Sequence, residues 1–272
     1  MNIVNWKNAY EQSSNFKNSN PTKWAYVKEF LDRDFYEELY NTFPKFDDTW
    51  DPKDDDETLA YRKFWKMDEK NRYADGTPRE HNIIQEYDSR YSEPWNKFLK
   101  HAWSEEFTKK LAEVTGIEVT GLRHFCFMYA NSGCYQKTHI HNVSDKTLIV
   151  FLYFSKNWES GDPGGTYLSD TTSSKILFEP YDLDNTALFV LDGPEAGHGM
   201  RKIVKDVERR AIQLTFELLT NDGWYNAANK KPFEPIDLEF KKTTDKKIIC
   251  KESEIPSISK HGRWFFDIGI DS

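Results

Sequence analysis

The sequence predicts a β-rich α+β fold, a β-sandwich or barrel with helices packed on one side. Three observations carry that prediction. Helical periodicity is confined to the first part of the chain, up to Gly116. Beyond it, short apolar runs alternate with Gly, Pro and Asp turns, which is the pattern of strands. The apolar material is also rich in rings: nine Trp, 14 Tyr and 19 Phe in a chain only 38% hydrophobic. Aromatics of that number suit the wide faces of a sheet.

The elements follow in order. In "DRDFYEELYNTF", Phe35, Leu39 and Phe43 recur at every fourth residue, with Asp32 or Asp34 as the cap and Pro44 as the stop. "DDTWDPKDDDE", residues 47–57, is an acidic run that reads as a solvated surface loop, with a lid beside a pocket as the alternative. Residues 92–116, "SEPWNKFLKHAWSEEFTKKLAEVTG", form a second helical region. Its apolar face is Phe98, Ala102, Phe107, Leu111 and Val114, and Gly116 ends it. Then "RHFCFMYA" alternates, and "TLIVFLYFS" is the continuous run of a strand buried on both faces. "GGTYLSD", "TALFVL" and "RAIQLTFELL" complete the predicted core. Past residue 220, "DLEF" and "KIIC" are strand candidates and "GRWFFDIGI" carries aromatics of the buried kind. The predicted layout is one main domain over 1–220, helical in 1–118 and a β core in 119–220, with 221–272 an extension packed on it.

A net charge of -8 argues against nucleic acid as a partner. Three cysteines without a C-x-x-C pair suit a reducing cytoplasm. No run approaches the ~20 apolar residues of a membrane span, so no membrane partner is expected.

Candidate chemistry centres on "YANSGCYQKTHIHN", residues 129–142. His139 and His141 are two apart, so on a strand they share a face. Two histidines on a polar face mean little alone. His198, in "LDGPEAGHGM", supplies a distant third, and three ligands on one side of a metal leave positions open for substrate and oxygen. Arg209 and Arg210 are adjacent on a predicted strand, so one faces in and one out. A planar guanidinium matches a carboxylate, although a salt bridge explains an arginine equally well. The glycine turn in "GDPGGTYL" reads as loop closure.

From about Trp24 to Glu217 the chain resembles the non-haem iron, 2-oxoglutarate-dependent oxygenases, in their prolyl 4-hydroxylase-like branch. "KWAYVKEFLDRDFYEELYNTFP" is similar to the branch's opening strand and helix, and "FTKKLAEVTGIEV" to the helix before its barrel. "HIHNVSDKTLIVFLYFSKNWESGDPGGTYL" is similar to its H-x-D, long strand, Trp and Gly-Gly series. The resemblance implies a double-stranded β-helix (jelly-roll) core. It also implies Fe(II) on His139, His198 and His141, with 2-oxoglutarate and O2 as co-substrates. Arg209 falls at the place of the 2-oxoglutarate-binding arginine, and Tyr129 at that of a tyrosine that also contacts 2-oxoglutarate. The implied reaction is oxidation of a substrate C–H, in a small molecule or a peptidyl group, with no side-chain base. Asp145, Asp162 and Lys146 are therefore given no catalytic role.

One departure matters. His141 stands where the family has an aspartate. An imidazole Nδ1 is as many bonds from the backbone as an aspartate oxygen, and three neutral imidazoles leave the iron at a higher positive charge. His141 swinging away from the metal, or a metal-free binding barrel, are the other readings. Cupins give a second resemblance, with Gly133, His139, His141, Asp145 and His198 on the same fold. It gives Arg209 no task and leaves the helical first part unexplained. Trp158, Tyr135 and the segment around Trp50 are candidates to line a pocket, although packing explains them equally well. Cys134 lacks a partner at zinc spacing.

Overall fold

The computed structural model describes residues 2–55, 58–66, 84, 86–141, 147–170, 175–193, 195–217, 248–251 and 263–266. The predicted strand "DLEF" lies outside the described residues.

Two short helices come first, α1 (Trp6–Glu11) and α2 (Ser13–Asn18), then strand β1 (Trp24–Lys28). Helix α3 (Arg33–Asn41) begins where expected, with the Asp32 side chain accepting from the Phe35 N–H at 3.4 Å. It buries Phe35, Tyr36 and Leu39, and Phe43 continues the apolar face just past its end. The acidic run departs from expectation. Its second half forms β2 (Asp51–Asp55), which hairpins onto β3 (Thr58–Phe64). An edge strand tolerates charges and a proline, because one side of its backbone is unpaired.

Residues 92–116 make two helices, α4 (Glu93–Ala102) and α5 (Glu105–Thr115). Ser104 breaks the run and caps α5, accepting from the Phe107 N–H at 3.2 Å. Gly116 then closes α5 with φ 74°.

The strands that follow are β4 (Gly121–Ala130), β5 (Tyr135–His141), β6 (Thr147–Phe154), β7 (Thr166–Asp170) and β8 (Lys175–Phe178). After them come β9 (Asp184–Leu191), β10 (Gly197–Met200), β11 (Arg209–Glu217), β12 (Ile248–Lys251) and β13 (Arg263–Phe266). All eight residues of β6 are buried, as its sequence predicts.

Their order is β1-β9-β6-β11-β4-β3 followed by β5-β10-β7-β8. The first six make a central sheet and the last four a minor sheet facing it. The result is the double-stranded β-helix, or jelly roll. Strand β3 joins the two sheets: Tyr61 to Phe64 pair with β4, while Thr58 and Leu59 pair with β5. Strand β13 pairs with the rest of that edge of β5, from Thr138 to His141, and β12 pairs with β13.

The helices cover one face of the central sheet. Phe43, Trp95, Phe98, Phe107, Phe125 and Phe127 meet there in one cluster. Trp95 alone touches five rings edge-on, with centroids from 4.8 to 6.4 Å. On the opposite face, Cys126, Met128, Phe151, Tyr153, Leu188 and Ala211 face the minor sheet. No helix among the described residues is long and apolar enough to cross a membrane.

Candidate active site

His139 on β5 lies directly opposite His198 on β10. Opposed residues share a face. The two rings are 4.3 Å apart, tilted by 53°, and both are buried. Phe151 of the central sheet approaches His198 at 6.3 Å, so the pair looks into the barrel.

Each ring is held by the same device. His139 Nδ1 meets the Lys137 carbonyl at 3.0 Å, and His198 Nδ1 meets the Ala196 carbonyl at 2.7 Å. A carbonyl only accepts, so Nδ1 donates in both. In the neutral imidazole the lone pair then resides on Nε2. Buried and oriented by backbone carbonyls, the two rings in their neutral form would fit a first-row divalent metal such as Fe(II). His141 follows His139 by two residues in β5, so alternation puts its position on the same face. Its side chain lies outside the described residues. Among the described residues no three His, Cys, Asp or Glu side chains gather at one point.

Glycine lets β10 fit between its neighbours. A Cβ on Gly199 would collide with the Tyr167 hydroxyl and the Gln136 carbonyl.

Arg209 opens β11 opposite Ala130 and is 1% exposed. Its Nε donates to the Gly164 carbonyl at 2.6 Å and its Nη2 to Thr166 Oγ1 at 3.0 Å. Gly164 can present that carbonyl because it has φ 128° and no Cβ, which would otherwise strike the Trp158 ring. The Tyr153 ring lies 5.5 Å from the guanidinium carbon. Among the described residues no carboxylate pairs with Arg209. Burial pulls its pKa below the ordinary value, with Tyr153 opposing. Thr166 pairs with Met200, and Leu168 pairs with His198. The guanidinium therefore sits one same-face step, about 7 Å along β7, from the level of the histidines.

Arg210 faces the other way. It pairs with Glu208 and lies over Tyr40 and Phe43 on the helix side. Tyr129 is opposite Arg210, not Arg209. It stacks on Phe46 at 4.2 Å and donates to Glu208 Oε1 at 3.2 Å. Burial and Glu208 push its pKa up to about 12. The contact expected between Tyr129 and a diacid held by Arg209 is thus corrected, because the two side chains leave opposite faces of the sheet. The tyrosine on Arg209's face is Tyr153, opposite Ala211. Sequence reading passed over it inside an apolar run. Its signal was its register with β11, which local pattern does not reveal.

The remaining candidates divide. Trp50 is buried against Phe43 and packs with the helices. Trp158 is half-buried over Gly164 and Ile203. Tyr135 pairs with Leu59 at the start of β5. Cys134 donates to Asn131 Oδ1 at 3.2 Å, and burial raises its pKa. Asp162 is held by Lys205 at 2.7 Å, and that bond keeps its carboxyl below the usual range. Asp145 and Lys146 lie outside the described residues.

No protein-family model matches the chain, and no curated protein matches it in sequence. Solved structures do match in shape. A prolyl-4-hydroxylase from Pseudomonas putida aligns at TM-score 0.51 and 10% identity, over 79% of this chain and 100% of that one. A 2OG-Fe(II) oxygenase family oxidoreductase from Burkholderia pseudomallei aligns at 0.51 and 11%, over 78% and 90%. A Trichoplax adhaerens prolyl hydroxylase, solved with a hypoxia inducible factor oxygen degradation domain peptide fragment, aligns at 0.50 and 14%, over 83% and 91%. With its jelly roll, its helix-covered sheet and these matches, the chain has the fold of the 2-oxoglutarate and iron oxygenases, in the form that prolyl hydroxylases share.

Proposed function

We propose that the chain is a non-haem iron, 2-oxoglutarate-dependent oxygenase that hydroxylates or otherwise oxidises a C–H bond of its substrate. The observation that carries the reading is Arg209. A fully buried guanidinium with only neutral partners, about one same-face step from a buried histidine pair, is costly unless an anion joins it. A diacid that chelates a metal at one end and ends in a carboxylate is such an anion.

His139 and His198 would hold the metal through Nε2, with His141 as the third ligand. When bound, Fe(II) and O2 supply the oxidation of the substrate, coupled to decarboxylation of 2-oxoglutarate. The chain's own residues do the positioning. Donation from Nδ1 to a carbonyl fixes each imidazole and makes Nε2 more basic. Gly164 and Thr166 hold the guanidinium plane with two of its five N–H groups, so its fork is oriented before the diacid arrives. Phe151 and Tyr153 line the space between the sheets and keep water from it. No carboxylate of this chain is required as a base.

The test is anaerobic addition of Fe(II) and then 2-oxoglutarate. The expected result is a weak visible charge-transfer band that disappears in Arg209→Ala. Metal uptake without the band points to a metal enzyme of cupin type. Failure to take up metal rules out both.

A further inference from the structure

The histidine row does not end at β5. Strand β13, far downstream in the sequence, lies along the outer edge of β5, with Phe265 opposite His139 and Arg263 opposite His141. Strand β3 occupies that edge only at Tyr135 and Gln136 before it crosses to β4. Opposed residues of an antiparallel pair share a face. One row therefore crosses four adjacent strands of the minor sheet: Phe265, His139, His198 and Leu168. The next same-face row on β13 and β5, about 7 Å further along, is Arg263 and His141.

Arg263 and Arg209 stand on opposite sides of that row. Thr166, which accepts from the Arg209 guanidinium, pairs with Met200, one same-face step to one side of His198. Position 263 is one same-face step from the row in the other direction. Thr166 and position 263 are thus about 14 Å apart along the strands and, over three strand spacings, about 14 Å apart across them. A short diacid anchored at Arg209 does not reach position 263. The strands that carry the row also lack negative charge: β5, β10 and β13 read YQKTHIH, GHGM and RWFF, with no Asp or Glu among them. On the facing sheet, Glu217 is answered by Arg123 at 3.2 Å. Opposite charges directly across two strands attract. A carboxylate at position 141 would answer Arg263, and the histidine that stands there does not. Apolar residue types flank the histidines, with Phe265 at one end of the row and Phe151 approaching His198 from the central sheet at 6.3 Å.

We propose that Arg263 and Phe265 are specificity-determining positions for the primary substrate, and that this substrate is an organic anion with an apolar body. Arg263 takes the anionic group, on the side of the histidines away from the diacid, and the apolar body lies along the histidine row. An arginine fork matches a carboxylate, a sulfonate or a phosphate alike, so the shared chemistry is the anion. That the bound anion is the molecule oxidised rests on the oxygenase reading, whereas the anion position itself does not.

Ligand-observed NMR on the metal-free protein tests it. The probes are benzoate, benzenesulfonate, phenyl phosphate, neutral benzyl alcohol, inorganic phosphate and 2-oxoglutarate. At least one aryl anion is expected to bind, and to stay bound when 2-oxoglutarate is saturating. Benzyl alcohol and inorganic phosphate should bind at least tenfold more weakly, and the three aryl anions distinguish which acid group is preferred. Arg263→Gln should weaken the aryl anion at least tenfold, while Arg263→Lys, which keeps the charge, should stay within threefold of wild type. In both variants 2-oxoglutarate affinity should stay within twofold of wild type. The proposal is overturned if no aryl anion binds, if 2-oxoglutarate displaces it, or if benzyl alcohol or inorganic phosphate binds equally well. It is overturned too if Arg263→Gln leaves the aryl anion unaffected, or weakens 2-oxoglutarate as strongly as Arg209→Ala does. The oxygenase reading fails by a different result, an Arg209→Ala variant that binds 2-oxoglutarate as tightly as wild type.

Discussion

On its helix side the central sheet presents Phe125, Phe127, Leu152, Phe154 and Phe189 to the helices, ring against ring. On its barrel side the same strands present Cys126, Met128, Tyr153, Ala211 and Arg209 to a minor sheet carrying two histidines. Arg209 and Arg210 show the contrast within one dipeptide: one buried with neutral partners, the other paired with Glu208 beside aromatic rings. Apolar area is concentrated on the first face, so stability should be concentrated there. The second face is smaller in side-chain bulk and richer in polar groups, which suits a ligand. Mutations on the two faces should therefore separate folding from binding.

The largest effect is expected at Trp95, which is fully buried among five rings. Trp95→Ala should lower unfolding free energy by about 3–5 kcal/mol, measured by chemical denaturation, while the folded fraction keeps its 2-oxoglutarate affinity. Arg209→Met should do the reverse. Losing a buried charge offsets losing its two hydrogen bonds, so stability should stay within about 1 kcal/mol of wild type. Diacid binding should weaken by about 2–5 kcal/mol, read by titration calorimetry. If Arg209→Met were as destabilising as Trp95→Ala, the barrel face would be structural and the contrast would fail. The smallest effect tests the helix layer's local chemistry. Ser104→Ala should cost about 1 kcal/mol and speed exchange of the Phe107 amide, without touching ligand binding.

Much of this was legible in the sequence, and the misses share a cause. The cap at Asp32, the stop at Gly116 and the buried run of β6 are local signals, and they hold. The break at Ser104 was legible too, since a serine followed by Glu105 and Glu106 is a cap signal, but the apolar spacing carried across it. The β2–β3 hairpin was hidden because its charges obey the rules of an edge. At the site, the opposition of His139 and His198 follows from their places on neighbouring strands. Whether Tyr129 or Ala130 shares a face with Arg209 depends on the register between β4 and β11. A one-residue slip there reverses every side chain, and nothing local fixes it.

Strand β5 has one edge on β10, while its other edge is shared by β3 from early in the chain and β13 from far downstream. During synthesis, β3, β5 and β10 are available well before β13. The edge beside His139 and His141 stays open until residues 263–266 have left the ribosome. Completion of the histidine-bearing strand is thus a late event in the making of this chain. A ribosome stalled before that point would display an unfinished edge beside the histidines.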